Sequence, residues 1–214
     1  MSQVLTDQLP TLADLVSDLG DIPLKRVLAV PFPGSATVED VVHAANLPRK
    51  RLCELIDGVL VEKAMGAPES LLAGWLLTQI WNYLAENNIG VALGEAGMVQ
   101  ILPNQVRIPD VSFLSWKHFP TRQVPREPVW DVAPDLAVEV LSRSNTPKEM
   151  TLKIDQYFES GVKLVWIVDP EKELADVYHS PTEKTQLDSS MSLDGEDILP
   201  GLAISLTELF SKGK

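Results

Sequence analysis

The sequence predicts a mixed α/β (α+β) protein in which helices flank a central mixed sheet. Two apolar runs predict the sheet, at residues 136–141 (LAVEVL) and 162–170 (VKLVWIVDP). Both are short and rich in β-branched residues, which is typical of strands buried on both faces. The helices are predicted by helical spacing of apolar residues at 67–88 and 146–161. Strands and helices that alternate in this way indicate a layered sheet-and-helix architecture.

The 214 residues are enough for one domain with a sizeable core and an appendage. We expect residues 1–50 to form an N-terminal extension and residues 51–214 to form the main domain. The extension contains a short helix at TLADLVSDLG, with apolar residues spaced for one face and Gly20 as its stop. A proline- and glycine-bearing loop then leads into another helical turn.

Composition excludes several classes of protein. Cys53 is the single cysteine, so neither an intrachain disulfide nor a multi-cysteine zinc site can form. No apolar stretch approaches the roughly 20 residues that span a bilayer, and the N-terminus lacks the basic head of a secretory signal. We therefore expect a cytoplasmic protein without a membrane partner.

The net charge of −12 counts against general coating of nucleic acid but permits a local groove, and the one dense basic run is PRKR at 48–51.

The elements of the main domain follow in order. LCELIDGVLVEK (52–63) predicts a hairpin about Asp57-Gly58, and we assign Glu54 and Asp57 to shaping that hairpin. The helix at 67–88 carries an apolar stripe, and strands are predicted at GVALG, MVQILP, VRIPDVSFLSW and LAVEVL. In the helix at 146–161, Thr146 and Glu149 form a capping box and Gly161 supplies the stop. A further strand, its hairpin partner and a short terminal helix complete the chain.

Three carboxylates interrupt patterns that should be apolar. Glu139 lies in the middle of LAVEVL, and an unpaired buried carboxylate is costly. Asp110 falls on the face of Val106 and Ile108 by period-two counting, although Pro109 can introduce a bulge there. Glu69 continues the apolar stripe of the helix at 67–88. Carboxylates that converge in this way predict a site for a hard divalent cation, Mg²⁺ or Mn²⁺.

Lys153 adds a positive charge near these carboxylates. It lies about 60° from the apolar stripe of its helix, at ~100° per residue, so it can lean over the sheet. A lysine beside metal-bound carboxylates can orient an attacking water and neutralise charge on a phosphate.

These motifs together resemble the Uma-two family of restriction-endonuclease-like proteins, of the PD-(D/E)xK nuclease superfamily. The resemblance rests on RIPDVSF, PDLAVEVLS, a helix with K…Y and GVKLVWIVDP in that order, and covers roughly residues 52–210. It implies a restriction-endonuclease-like core with Asp110 and Glu139 as metal ligands and the backbone carbonyl of Val140 as a helper. The superfamily's usual lysine position is here Leu141, and the resemblance points to Lys153 as its replacement. Glu69 stands near the position where many relatives have a histidine.

Two functions stay open at this stage. The first is a Mg²⁺- or Mn²⁺-dependent endonuclease that acts on nucleic acid, with DNA as the expected substrate. A homodimer suits this function because cutting two strands favours a two-fold enzyme. The second is a non-catalytic binding or assembly module on a nuclease-like fold, since fold alone does not confer activity. In that case Glu139 is a structural glutamate paired with Lys153, Asp110 caps a turn after Pro109, and Glu69 complements a helix dipole.

Overall fold

The computed structural model describes residues 11–64 and 66–213. Its helices are α1 (Leu12–Asp18), α2 (Val38–Asn46), α3 (Ala67–Glu86), α4 (Pro147–Glu159) and α5 (Leu206–Ser211). Its strands are β1 (Cys53–Ile56), β2 (Val59–Glu62), β3 (Gly90–Leu93), β4 (Met98–Leu102), β5 (Gln105–Arg107), β6 (Val111–Ser115), β7 (Val129–Trp130), β8 (Leu136–Val140), β9 (Leu164–Asp169), β10 (Leu174–Tyr178), β11 (Lys184–Asp188), β12 (Ser192–Asp194) and β13 (Ala203–Ser205). Short 3-10 helices occupy Leu24–Arg26 and Trp116–His118.

The strands form two large sheets and one small one, where the sequence pattern predicted a single central sheet. A six-stranded mixed sheet has the order β11-β10-β9-β8-β6-β3, and a five-stranded sheet has the order β2-β1-β5-β4-β7. Strands β12 and β13 form a separate pair. The predicted mixed α+β class is confirmed. No helix within the described ranges is long and apolar enough to cross a membrane. Residues 1–10, to which the argument against a signal sequence applies, lie outside those ranges.

Helices cover both faces of the six-stranded sheet. The apolar stripe of α3 packs with α5 against Leu136, Val138 and Val140 of β8. On the other face, Met150 and Ile154 of α4 pack in a cluster with Ala137 of β8. That cluster also contains residues of β4, so α4 is packed between the two large sheets. The alternation along β8 follows from the period of two in a strand.

The β8–α4–β9 segment is a crossover between two parallel strands. The predicted capping box at the start of α4 is confirmed: Thr146 Oγ1 accepts from the Glu149 amide at 3.0 Å, and the Glu149 side chain accepts from the Thr146 amide at 3.3 Å. The predicted Gly161 stop is also present, with φ of +97°. The helix is thus defined at both ends by local sequence, and this sets where its side chains meet β8.

The predicted hairpin at Asp57-Gly58 is confirmed. Strands β1 and β2 pair with Ile56 opposite Val59, and both turn residues have positive φ, as a type I′ turn requires. The prediction of one strand through VRIPDVSF is wrong. Strand β5 ends at Arg107 in the five-stranded sheet and β6 begins at Val111 in the six-stranded sheet. Pro109 lies in the connection, where it has no N–H to offer to a ladder.

The segment before residue 51 packs closely on the rest of the chain. Leu19 and Ile22 share a small core with residues of the β1–β2 hairpin. Helix α2 contributes Val41 and Ala44 to a second core with β1 and β5. The division between an extension and a main domain at residue 50 stays a prediction.

Candidate active site

Glu139 lies at the centre of a buried polar cluster between β8 and α4. Its position on β8 places it on the face of Ala137, toward α4, and it is 5% exposed. The Glu139 Oε1 atom accepts a hydrogen bond of 2.5 Å from the Tyr157 hydroxyl and forms an ion pair of 3.2 Å with Lys153 Nζ. A carboxylate buried in an apolar strand is therefore compensated by one ammonium and one hydroxyl.

Lys153 and Tyr157 both reach Glu139 because residues four apart lie on the same face of a helix. Lys153 is 3% exposed, and its ammonium is shared between two carboxylates, with Glu54 Oε1 at 3.1 Å and Glu139 Oε1 at 3.2 Å. The structure thus places Lys153 beside Glu139, where the sequence analysis expected it. Leu141, at the position where the family resemblance led us to look for a lysine, packs partly buried against the apolar cluster of α4.

Glu54 belongs to this cluster, and its assignment to hairpin shaping alone was wrong. It is 1% exposed, its Oε2 accepts from Arg107 Nη1 at 2.7 Å, and its Oε1 accepts from the Ile108 amide at 3.1 Å. Arg107 is itself held by Gln156 of α4. The sequence did contain a signal, because Glu54 interrupts the apolar run of β1 as Glu139 interrupts β8.

Asp110 is held at the beginning of β6, beside the end of β8. Its amide donates to the Val138 carbonyl at 3.0 Å, and its Oδ2 accepts from the Val140 amide at 2.7 Å. Its Oδ1 forms an ion pair of 2.8 Å with Lys63 Nζ, which also donates to the Ile108 carbonyl at 2.6 Å. The sequence analysis did not single out Lys63, which follows β2 directly.

The two carboxyls that share Lys153 have pKa values shifted in opposite directions. Burial raises the pKa of Glu139 above its usual range, and the Asp110 carboxylate adds to the shift while Lys153 opposes it. Burial would also raise the pKa of Glu54, but Lys153, Arg107 and the Ile108 amide outweigh it and hold this pKa well below its usual range. Paired carboxyls with divergent pKa values are typical of functional sites.

The two cluster donors on α4 stay protonated. Burial would lower the pKa of Lys153, but Glu139 and Glu54 outweigh it and raise this pKa above its usual range. Burial and the Glu139 carboxylate raise the pKa of Tyr157 well above its usual value. These shifts favour the ammonium form of Lys153 and the neutral hydroxyl form of Tyr157.

The donor set suits a hard divalent cation held partly by water. Asp110 and Glu139 supply carboxylate oxygens, and Mg²⁺ is commonly bound by one or two carboxylates, with waters and substrate phosphates completing its shell. Across residues 11–64 and 66–213, no group of three or more His, Cys, Asp or Glu side chains is arranged to hold a metal ion. The Lys63 ammonium neutralises Asp110 Oδ1, so a cation at Asp110 must displace it.

Glu69 lies apart from the other predicted residues. It is half-buried in the first turn of α3 and lines a pocket with Ser142, Arg143 and Glu171. In the described part of the chain, no hydrogen bond or ion pair joins Glu69 to Asp110, Glu139 or Lys153. The structure therefore brings together Asp110, Glu139, Val140 and Lys153, and adds Glu54, Lys63, Arg107 and Tyr157.

Comparison with known proteins agrees with this description. The sequence matches the model of the Uma2 family, described as "Putative restriction endonuclease", over residues 38–207. The fold is similar to that of a protein from Anabaena variabilis ATCC 29413 described as "a putative nuclease belonging to DUF820", with a TM-score of 0.68 and 22% sequence identity over 78% of this chain and 95% of that chain. No curated protein matches the sequence. The predicted family resemblance and the nuclease-like core are confirmed.

Proposed function

Since the chain belongs to the Uma2 family of restriction-endonuclease-like proteins, we propose that it is a Mg²⁺- or Mn²⁺-dependent endonuclease that hydrolyses phosphodiester bonds in nucleic acid, with DNA as the preferred substrate. The observation that carries the proposal is the meeting of Asp110 and Glu139 at neighbouring strands. The Val140 amide, directly after Glu139, donates to Asp110 Oδ2 at 2.7 Å. Asp110 is thereby held next to the residue that follows Glu139, and its charge acts on the Glu139 carboxyl, which Lys153 of α4 contacts.

In this proposal Asp110, Glu139 and the Val140 carbonyl hold the ion. When bound, the ion would supply a Lewis acid that neutralises charge on the scissile phosphate and lowers the pKa of water. The chain's own contribution is to orient the ligands, and the Lys153 ammonium favours the charged form of Glu139. The Val140 amide orients Asp110, and the Tyr157 hydroxyl orients Glu139 through Oε1.

Lys153 has the role of the superfamily lysine, approaching Glu139 from α4 instead of from β8. Its high pKa keeps it cationic, so it orients a water by donating hydrogen bonds and does not accept a proton from it. Glu54 is a positioning residue, because it holds Lys153 on one side and Arg107 on the other. A lysine fixed from two directions is pre-organised for this task.

The test is a cleavage assay on duplex DNA, single-stranded DNA and RNA with Mg²⁺ or Mn²⁺. We expect the wild-type protein to cut and the variants Asp110→Asn, Glu139→Gln and Lys153→Met to lose the activity while they still melt cooperatively. Glu171→Gln is the matched control, since its carboxylate pairs with the exposed Arg143. A folded, metal-supplemented wild type that cuts none of these substrates contradicts the proposal.

One observation favours a non-catalytic binding or assembly module as the second candidate. Asp110 and Glu139 are each compensated by a protein ammonium, Lys63 at 2.8 Å and Lys153 at 3.2 Å, as structural carboxylates would be. In that case Asp110→Ala and Glu139→Ala change stability but leave metal affinity unchanged. Metal titration therefore separates the two candidates even where no substrate has been found.

Three further expectations belong to the proposed nuclease. A homodimer is the proposed working form, because a two-fold assembly can cut both strands of a duplex. Light scattering of the protein with and without duplex DNA measures this. The cytoplasm is the proposed location, which cell fractionation tests.

Glu69 stays a predicted auxiliary ligand, and Glu69→Gln should then weaken metal binding less than Glu139→Gln does.

A further inference from the structure

We propose that a basic cleft beside the active site, walled partly by the N-terminal segment, binds the phosphate backbone of the nucleic acid. The inference rests on the proposed nuclease function and extends it to a substrate-binding surface. The cleft has a volume of about 790 Å³. Its lining includes Lys25, Arg26, Lys50, Glu62, Lys63 and Ser144.

Lys63 connects the cleft to the active site. Its side chain lines the cleft, while its ammonium contacts Asp110 Oδ1 at 2.8 Å. A backbone lying in the cleft therefore leads to the proposed metal ligand Asp110. This continuity is the reason to assign the cleft to nucleic acid and not to another anion.

Local charge in the cleft is opposite to that of the whole protein. The lining contains four basic residues and one acidic residue, whereas the chain carries a net charge of −12. The acidic residue, Glu62, forms an ion pair with Arg51 at 3.5 Å. Positive charge concentrated in one cleft of an acidic protein attracts phosphate locally and leaves the rest of the surface repulsive.

Lys25 and Lys50 are the residues available for phosphate. Both are exposed, and among residues 11–64 and 66–213 no ion pair joins either of them to a carboxylate. Arg26, by contrast, is buried and committed to Glu149 at 2.7 Å. Lys25 belongs to the 3-10 helix Leu24–Arg26. The buried ion pair of Arg26 with Glu149 therefore also holds in place the part of the cleft wall that carries Lys25.

The geometry gives the N-terminal segment a role in substrate binding. Arg26 donates to the Glu62 carbonyl at 2.8 Å and to the Ser144 carbonyl at 3.3 Å, which ties the segment to the end of β2 and to the loop between β8 and α4. Lys25 lies before the start of the family match at residue 38. Part of the proposed binding surface therefore lies outside the matched range.

The experiment measures binding of labelled duplex DNA, single-stranded DNA and RNA by fluorescence anisotropy in EDTA, where a metal-dependent enzyme cannot cut. Affinity is followed between about 50 and 200 mM KCl, because each phosphate contact on duplex DNA contributes about 0.9 to the slope of log K against log salt. We expect the double variant Lys25→Ala, Lys50→Ala to reduce the slope by about 1.8. Affinity near 0.1 M salt should fall roughly eightfold for each contact by the same relation.

Lys117→Ala is the matched control, since Lys117 follows the far end of β6, the strand that begins beside Asp110. An unchanged slope in the double variant, with wild-type binding intact, overturns the cleft assignment and leaves the proposed nuclease standing. An equal loss in Lys117→Ala also overturns it, because the effect is then one of overall charge. A wild type that binds none of the three probes contradicts both the cleft and the nuclease proposal.

Discussion

Glu54→Gln is the substitution whose effect the structure determines most sharply. The change keeps the shape of the side chain and removes its charge. Glu54 is 1% exposed, and it is the partner of Arg107 at 2.7 Å and of Lys153 at 3.1 Å. Removing one partner of a buried ion pair costs about 3–5 kcal/mol, because the remaining charge stays buried without compensation. The Gln side chain keeps one acceptor oxygen and places an NH2 donor where the second carboxylate oxygen faced a cation, so we expect at least about 3 kcal/mol.

The assay is equilibrium unfolding in urea, with an unchanged m-value as the condition for a clean comparison. Glu171→Gln, in an exposed ion pair, should leave the free energy of unfolding nearly unchanged. A loss of less than about 1 kcal/mol in Glu54→Gln would refute the reasoning, since a buried ion pair would then behave like an exposed one.

The loss of unfolding free energy in Glu54→Gln should change with pH, in a direction that the pKa of Glu54 determines. The folded-state pKa of Glu54 is depressed from its usual value of 4.5, so its stabilising contribution is complete above that value. As pH falls below about 4.5, the unfolded chain binds a proton that the folded chain does not, and the contribution declines by about 1.4 kcal/mol per pH unit. The difference between wild type and Glu54→Gln should therefore narrow toward acid pH. A difference that widens there contradicts the account.

Three other predictions follow from single contacts. Lys63→Met should tighten Mn²⁺ binding about fivefold or more, because the ammonium competes for Asp110 Oδ1; calorimetry measures this, and unchanged or weaker binding contradicts it. Cys53 should resist thiol reagents in the folded protein at pH 8, because burial raises its pKa to about 11; rapid labelling without unfolding contradicts this, and denatured protein is the control. Gly20→Ala should cost more stability than Gly34→Ala in urea unfolding, since both have positive φ but only at Gly20 would a Cβ meet backbone atoms, 2.6 Å away at the start of α4. Equal losses in the two alanine variants would show that the α4 contact does not matter.

Local sequence patterns predicted the elements that carry the site. The capping box at Thr146 and the positive-φ turn at Asp57-Gly58 depend on residues adjacent in the chain, so they can be found in the sequence. Glu139 was found because it departs from a clear apolar pattern, and Lys153 because it lies beside the apolar stripe of its helix. Their positions relative to each other follow from the β8–α4 crossover.

The parts that the sequence did not predict depend on contacts between distant segments. Pro109 signals an interruption, but only the pairing of β5 and β6 shows that the chain changes sheets there. Glu54 was assigned to its hairpin because its partners Arg107 and Lys153 lie far along the chain. In the sequence, Lys63 is simply the last polar residue of the predicted hairpin. Its ion pair with Asp110 is visible only in the structure. An interrupted apolar run can indicate a buried charge, but the partner of that charge has no local signature.

The most direct test of the central claim is a calorimetric titration of Mn²⁺ and Mg²⁺ into wild type, Asp110→Ala and Glu139→Ala. Each titration is made with and without a phosphorothioate oligonucleotide that resists cutting, because substrate phosphate can complete the shell of Mg²⁺. The account predicts wild-type binding that both substitutions abolish while the proteins stay folded. A folded wild type that binds neither ion in either condition would contradict it and favour the non-catalytic module.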